Sequence, residues 1–186
     1  MKKFLLLLLL VSGFLFVSCG PGEHQGVPID VKLKEEQAVW DVIEKYNEAY
    51  ANKDFAGLVD YMSQDVVFFG TDSAEVIKSL AEYKEAMEKQ WEQYDSMVFG
   101  KIEESEKFLQ MDRNATLASV LFGAPLFLTV DGVENRVFVR VHRTLKKENK
   151  QWLIVTGLIS IPASVGSNSE IPSVDHLEKS DNDSTE

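Results

Sequence analysis

The stretch that decides the fold is TLASVLFGAPLFLTVDGVENRVFVRVHRTL, residues 116–145. It contains two runs rich in β-branched and aromatic side chains, and Asp131 and Gly132 between them are a typical two-residue hairpin turn. Pro125 cannot donate a ladder hydrogen bond, so it predicts a bulge or a bend in the first strand. This stretch therefore predicts a long β-hairpin.

More strands are predicted on both sides of the hairpin. KKENK (residues 146–150) predicts the next turn, and QWLIVTGLISIP (residues 151–162) predicts a final strand that Pro162 stops. A less regular strand is predicted over about residues 97–109. The second half of the chain is thus expected to form four antiparallel strands.

The first half is predicted to be mainly helical. Val39, Val42, Ile43, Tyr46 and Tyr50 recur at helical spacing, which predicts an amphipathic helix over about residues 35–51. A short helix with Asp54 as its N-cap follows, then a strand over residues 66–69, and then a third helix with an apolar stripe from Ile77 to Tyr94.

This order of elements predicts an α+β fold, with the three N-terminal helices packed on one face of a curved antiparallel sheet. A curved sheet wrapped around a long helix encloses a cone. Because an enclosed, aromatic-lined cone is a natural ligand site, we expect a pocket lined by the side chains listed here: Trp40, Tyr50, Phe68, Thr71, Trp91 and Trp152. Ordinary core packing is the alternative interpretation of these aromatic residues.

The segment AYANKDFAGLVDYMSQDVVFFGTDSAE (residues 49–75), together with the strand ending WLIVTGLISIP, resembles the SnoaL-like group of the nuclear transport factor 2 superfamily. The resemblance extends over about residues 36–162 and implies a cone-shaped α+β domain that commonly forms dimers through its open sheet face. Members of this group include isomerases, cyclases, dehydratases and association domains. Related chains commonly carry a histidine on the last strand where this chain has Leu158, so the resemblance supplies no base there.

The N-terminus has the layout of an export signal. MKKFLLLLLLVSGFLFVSCG places two lysines before an apolar run that is shorter than the roughly 20 residues needed to span a bilayer. FVSCG resembles the lipobox of bacterial lipoproteins, in which Cys19 would be lipidated; a plain cleaved signal peptide is the alternative. We therefore expect a signal peptide over residues 1–18, a lipidated cysteine and tether over residues 19–34, the domain over residues 35–162 and a disordered acidic tail over residues 163–186.

Composition excludes several classes of partner. The formal net charge of -11 argues against nucleic acid, since phosphate binding needs clustered lysine and arginine. The predicted domain has one histidine and no cysteine, too few for a typical zinc or iron site, and the chain has no Gly-rich phosphate loop. We expect no cofactor and no metal.

Two acidic residues have two possible roles, helix capping and catalysis. Asp72 and Glu75 stand three residues apart, which is the spacing of a capping box at a helix N-terminus. Alternatively, Asp72 could be a general base, which requires burial near the cone and a raised pKa.

Arg140 and His142 alternate with the valines of RVFVRVHR (residues 136–143). If the valine face packs on the helices, the two polar side chains lie toward solvent or a dimer partner. In the opposite register they would line the pocket and bind an anion.

The sequence thus predicts an exported, lipid-anchored domain of the bacterial cell envelope, on the periplasmic or cell-surface side, that binds a small apolar or amphipathic molecule as a homodimer. Catalysis is the less favoured alternative: a weak isomerase or hydrolase-like enzyme with Asp72 as its base. A third alternative is a dimeric scaffold for another envelope protein.

Overall fold

The computed structural model describes residues 26–71 and 75–162. Within them, three α-helices lie on one seven-stranded sheet. The helices are α1 (Ile29–Ala51), α2 (Phe55–Val59) and α3 (Leu80–Gln93), and a short 3-10 helix spans Glu104–Glu106. The strands are β1 (Met62–Phe69), β2 (Val76–Ile77), β3 (Ser96–Phe99), β4 (Lys107–Met111), β5 (Leu117–Val130), β6 (Val133–Glu148) and β7 (Gln151–Ser160).

The sheet has the strand order β2-β1-β7-β6-β5-β3, and β4 pairs beside β3 on the same edge of β5. All pairs are antiparallel except β1 with β7, which is parallel. The predicted α+β fold is confirmed. The single strand predicted over residues 97–109 is instead two strands, because residues 100–106 leave the sheet between β3 and β4.

The predicted hairpin is also confirmed. Asp131 and Gly132 have φ values of 50° and 75°, and they join β5 to β6 directly after the pair Val130 and Val133. Positive φ at both turn positions gives the twist that matches the two strands. Asn149 and Lys150 make the same kind of turn, with φ values of 49° and 70°.

Pro125 does not produce the predicted bulge, since the pairing of β5 with β6 passes through it without a register shift. Its carbonyl accepts a hydrogen bond of 2.7 Å from the Gly100 amide. In an antiparallel strand the nitrogen of the same residue faces the same side. That side is the gap between β3 and β4, where the missing N–H leaves no partner unsatisfied.

Helix α1 begins at Ile29, about six residues before the predicted start. Pro28 is its N-cap with φ -54°, and Asp30 places a negative charge in the first turn, where the helix dipole favours it. The preceding residue, Val27, donates its amide to the Arg113 carbonyl at 2.9 Å and so ties the helix start to the β4–β5 loop. Residues 29–34 of the predicted tether therefore belong to helix α1.

Helix α3 begins later than the sequence indicated, and the capping-box prediction for Asp72 and Glu75 is wrong. The N-cap is Ser79, whose Oγ accepts from the Glu82 amide at 3.2 Å, while the Glu82 carboxylate accepts from the Lys78 amide at 2.7 Å. The same Ser/Thr-x-x-Glu logic thus applies seven residues further along the chain. Ile77 belongs to β2 and not to the helix.

One face of the sheet packs on the helices. Val139, Val141 and Leu145 of β6 are buried, as are Val39, Ile43 and Tyr46 of α1, and all belong to one hydrophobic cluster. This inner face gives the domain its core. None of the helices in the described ranges combines the length and the apolar character that a membrane crossing requires.

Candidate functional site

A cavity of about 710 Å³ lies between the inner face of the sheet and helices α1 and α3. Its walls are mainly apolar and come from both layers. They include Met87, Phe99, Leu126, Val137, Val139 and Ile159. The cavity thus lies between the two layers of the fold.

Three polar side chains form a buried cluster in the cavity wall. Tyr46 of α1, Tyr83 of α3 and Arg143 of β6 are only 2%, 3% and 6% exposed. The hydroxyl groups of Tyr46 and Tyr83 are joined by a hydrogen bond. Helix, helix and strand therefore each supply one hydrogen-bonding group to the same enclosed place.

Arg143 is held by aromatic rings and backbone carbonyls. Its guanidinium carbon lies 5.0 Å from the ring centroid of Phe68 and 5.5 Å from that of Tyr46, within cation–π range. Its Nη1 donates to the carbonyls of His142 (3.2 Å) and Leu158 (3.4 Å). The side chain lies over Gly157 of β7, where an added Cβ would meet Nη1 at 2.6 Å, so a larger residue there would displace it.

Burial sets the protonation of the tyrosines that line the cavity. It raises the pKa of Tyr46, although the nearby Arg143 charge acts in the opposite direction. Burial likewise raises the pKa of Tyr83, to which proximity to Tyr46 adds, and burial also raises the pKa of Tyr50. All three hydroxyls are therefore neutral donors near pH 7.

Much of the remaining polar wall comes from α3. The Tyr50 hydroxyl donates to Gln90 Oε1 at 3.1 Å, and Glu85 pairs with Lys89 at 2.9 Å. Both members of the latter pair are exposed, with 68% and 69% of their side-chain surface accessible. The cavity thus changes from a buried cluster at Arg143 to a solvated edge along α3.

The segment that carries the predicted base forms another part of the wall. The Gly70 amide donates to the Glu75 carbonyl at 3.0 Å, and a Cβ on Gly70 would collide with the Glu75 carboxylate. Thr71 and Glu75 both line the cavity. Asp72, predicted as a general base, lies outside the described residues.

The structure divides the six predicted pocket residues into two groups. Tyr50, Phe68 and Thr71 line the cavity. The three tryptophans do not, and the pocket prediction is corrected for Trp40, Trp91 and Trp152.

Each tryptophan packs elsewhere for an identifiable reason. Trp40 meets Phe122 edge-on at 6.4 Å, while Trp152 is buried on β7 and donates from Nε1 to Glu35 at 2.7 Å. Trp91 of α3 packs against the hydrophobic cluster with its indole Nε1 buried, and Lys53 donates to its backbone carbonyl at 2.9 Å.

Arg140 and His142 lie on the outer face of the sheet, opposite the helices. Arg140 is exposed, and His142 Nε2 is 2.9 Å from the Ser119 hydroxyl on the neighbouring strand. Neither side chain lines the cavity. Cys19, predicted as a lipidation site, lies outside the described residues.

Sequence reasoning did not select Arg143, although the pattern contained it. Val137, Val139 and Val141 alternate on the inner face, and two more steps reach Arg143 and then Leu145. A charged residue on the core side of a strand is an unusual feature that indicates a site. The glycine at position 157, inside an otherwise apolar strand, is a second signal of a close approach.

No group of three histidine, cysteine, aspartate or glutamate side chains in residues 26–71 and 75–162 is arranged to hold a metal ion. The wall instead offers neutral hydroxyl donors, one buried guanidinium, an apolar surface, and charged side chains at Glu75, Glu82, Glu85 and Lys89. Such a set suits recognition of an oxygen-bearing organic molecule.

Residues 39–164 match the SnoaL-like domain model, and the chain therefore belongs to the SnoaL-like domain family. No curated protein shows significant sequence similarity to it.

Solved structures agree on the fold. A candidate scytalone dehydratase from Novosphingobium aromaticivorans has a TM-score of 0.64 at 12% identity, over 73% of this chain and 89% of that one. An NTF2-like protein of unknown function from Pseudomonas putida has a TM-score of 0.59 at 18% identity, over 72% and 90%. A candidate calcium/calmodulin-dependent protein kinase II association domain from Xanthomonas campestris has a TM-score of 0.58 at 20% identity, over 68% and 87%. At these identities the likeness establishes the fold alone.

Proposed function

We propose that this chain binds a small amphipathic organic molecule in the cavity between the sheet and helices α1 and α3. The observation that carries the proposal is the combination of an apolar wall with one buried polar cluster, Tyr46, Tyr83 and Arg143. Apolar walls supply affinity by removing surface from water, and a few convergent polar groups fix orientation. A cavity of about 710 Å³ is within the range typical of small-molecule sites.

Native mass spectrometry tests this function on residues 20–186. All members of the hydrophobic cluster lie between Val39 and Ile154, so this segment includes the whole core. The protein is purified without added ligand, and its intact native mass is compared with its denatured mass. We expect extra mass that is lost on denaturation and that diminishes in the variant Val139→Trp, which fills the cavity. Native protein without any bound mass, in preparations from several hosts, would count against the proposal.

A second candidate function is a weak isomerase or hydrolase-like enzyme with Asp72 as its general base. The observation that favours it is that Thr71 and Glu75, on either side of the undescribed residues 72–74, both line the cavity. Incubation of the purified protein with its co-purified ligand should then convert that ligand to a product of different mass or retention. Asp72→Asn should abolish the conversion while leaving the circular dichroism spectrum unchanged. A persistent conversion in this variant would remove Asp72 from the mechanism.

We also propose that the chain is exported and anchored to the bacterial cell envelope by a lipid on Cys19. The support is the order of lysines, apolar run and cysteine in MKKFLLLLLLVSGFLFVSCG. The full chain should partition with membranes and carry the mass of a lipid modification, whereas Cys19→Ser should lose both. A wild-type chain of unmodified mass would refute the anchor.

Finally, we propose that the outer face of the sheet pairs with a second copy of the chain. Phe108, Leu121 and Leu158 are exposed on this face, at 60%, 47% and 42%. Sedimentation should give a dimer that Leu121→Glu dissociates. Leu33→Glu, at an exposed leucine of α1, is the matched control and should leave the dimer intact. A monomeric wild type would instead leave this face for the scaffold alternative.

A further inference from the structure

Arg143 is a buried charge without an ionic partner among the described residues. It is 6% exposed, and none of the ion pairs within residues 26–71 and 75–162 includes it. Arginine is almost never buried unless it is paired, because removing a guanidinium from water costs several kcal/mol or more. The domain therefore contains a costly feature that packing does not explain.

The contacts that Arg143 makes leave part of its donor set unused within the described structure. A guanidinium has five N–H donors in a planar fork. Nη1 donates to the carbonyls of His142 and Leu158, and the guanidinium also donates to the Tyr46 hydroxyl. The rings of Phe68 and Tyr46 hold the charge from the side, which fixes its position without neutralising it.

The two tyrosine hydroxyls add a donor at the same place. In the Tyr46–Tyr83 pair one hydroxyl donates to the other, so the accepting hydroxyl keeps its own proton for a further acceptor. Tyr46, Tyr83 and Arg143 all line the cavity. An oxygen-rich group placed in this end of the cavity would meet both kinds of donor.

We propose that the ligand of this cavity is an organic monocarboxylate with an apolar body, whose carboxylate binds the Arg143 guanidinium and the Tyr46–Tyr83 hydroxyl pair. This inference rests on the proposed binding function and names the chemical class of the ligand. The planar fork of arginine matches the two oxygens of a carboxylate. A single buried cation neutralises one negative charge, whereas a phosphate monoester carries about -1.5 to -2 near pH 7.

Part of the remaining wall is apolar and fits the body of such a molecule, while Glu75, Glu82 and Glu85 also line the cavity. Val137, Leu126 and Ile159 line the wall beyond the polar cluster. A neutral ligand with a carbonyl or hydroxyl group would bury against the same wall but would leave the guanidinium charge uncompensated. The acid should therefore be preferred over an alcohol of the same shape.

Calorimetric titration of residues 20–186 with matched pairs of probes tests the inference. The pairs are decanoate with decanol and hydrocinnamate with hydrocinnamyl alcohol, each below its micellar or solubility limit. For at least one pair, we expect the acid to bind about tenfold or more tightly than the alcohol, as a charge-assisted bidentate contact implies. In Arg143→Gln the preference should disappear while the affinity for the alcohol stays within about twofold.

Two controls separate a site effect from a general one. Arg140→Gln removes an exposed arginine three residues away on the outer face of β6 and should leave both affinities unchanged. Arg143→Lys keeps the charge without the fork and should retain an intermediate preference. A third test uses the wild-type protein at different pH values. Its affinity for the acid, but not for the alcohol, should fall as the pH drops through the pKa of the free acid.

The outcomes distinguish this inference from the binding function on which it rests. Equal affinity for acid and alcohol, or an acid preference that survives Arg143→Gln, would overturn the carboxylate inference and leave the binding function standing. Failure of all four probes to bind would also overturn it. The binding function itself would fall only if native mass spectrometry also found no bound molecule.

Discussion

The inner and outer faces of the sheet are both rich in apolar side chains, but only the inner face is covered. Ile154 of β7 is fully buried under the helices, whereas Leu158, four residues along the same strand, is 42% exposed. Ile154 pairs with Leu145, whereas Thr156 pairs with Thr144, so β7 contains one extra residue relative to β6 at this point. Because of this extra residue, Ile154 and Leu158 point to opposite faces of the sheet. Hydrophobicity therefore does not decide burial in this domain; the side of the sheet does.

The charged residues of β6 show the reverse of this pattern. Arg140 lies exposed on the outer face, where a charge costs little, and Arg143 is buried on the inner face among aromatic rings. An exposed apolar row on one face and a buried cation on the other are both unfavourable for an isolated domain. Each indicates a contact, and the two proposed contacts are different: a second chain outside and a small anion inside.

Truncation of one residue from each face should give the largest difference. Ile154→Ala should lower the free energy of unfolding by about 2–5 kcal/mol, because it opens a cavity in the core. Leu158→Ala should change it by no more than about 0.5 kcal/mol in dilute protein. Urea unfolding followed by circular dichroism measures both. A loss at Leu158 that grows with protein concentration would support a dimer through the outer face, whereas equal losses for the two variants at every concentration would show that the two faces do not differ in burial.

Alkaline pH should destabilise the domain through the buried tyrosines of the helices that cover the inner face. Burial raises the pKa of Tyr46, Tyr50 and Tyr83, so these groups favour the folded state below the unfolded tyrosine pKa of about 10. As the pH rises above that value toward the folded pKa, each should cost about 1.4 kcal/mol per pH unit. Tyrosinate absorbance should therefore appear together with unfolding. Ionisation of most tyrosines in a fully folded protein would contradict the buried cluster.

The periodic parts of the sequence were sufficient to predict the fold. The alternation in residues 116–145 and the turn at Asp131 and Gly132 predicted the hairpin that the structure confirms, while the face that Arg140 and His142 occupy was left open by the sequence. The exceptions lie where no period applies. The break between β3 and β4 depends on which part of β5 each segment pairs with, Leu126–Thr129 for β3 and Ala118–Phe122 for β4, a long-range pairing that local patterns do not encode.

The site was less predictable because size and aromatic character were used as its signal. Large rings are useful both in cores and in pockets, and the three tryptophans turned out to lie outside the cavity. The more specific signal was a residue of the wrong polarity at a core position, Arg143. The start of α3 was missed for a related reason, since Asp72 and Glu75 have the same capping spacing as Ser79 and Glu82, and only the pairing of β2 with β1 separates the two choices.

Replacement of Arg143 or of Arg140 on β6 by methionine tests whether the buried charge is a cost. In ligand-free protein, Arg143→Met should raise the free energy of unfolding by about 1 kcal/mol, since an unpaired buried charge is exchanged for an apolar chain of similar length. Arg140→Met should stay within about 0.5 kcal/mol. Thermal and urea unfolding of both variants give the values. A clear destabilisation by Arg143→Met would mean that the guanidinium is compensated within the folded chain, which removes the energetic reason for an anionic ligand.

The smallest effect is expected at the contact that ties helix α1 to the inner face. A hydrogen bond from Lys147 lowers the pKa of Glu35, helped by a second from Trp152. A lowered folded pKa contributes stability above the unfolded glutamate pKa of about 4.3, and this contribution is lost as the pH falls through the folded pKa. Glu35→Gln should therefore cost roughly 0.5–1 kcal/mol near pH 7 and nothing at strongly acidic pH. The adjacent Glu36 pairs with Lys32 only at the surface, at 3.8 Å, so Glu36→Gln should be neutral at both pH values. If the two variants behaved alike, the helix would be held on the sheet by apolar packing alone.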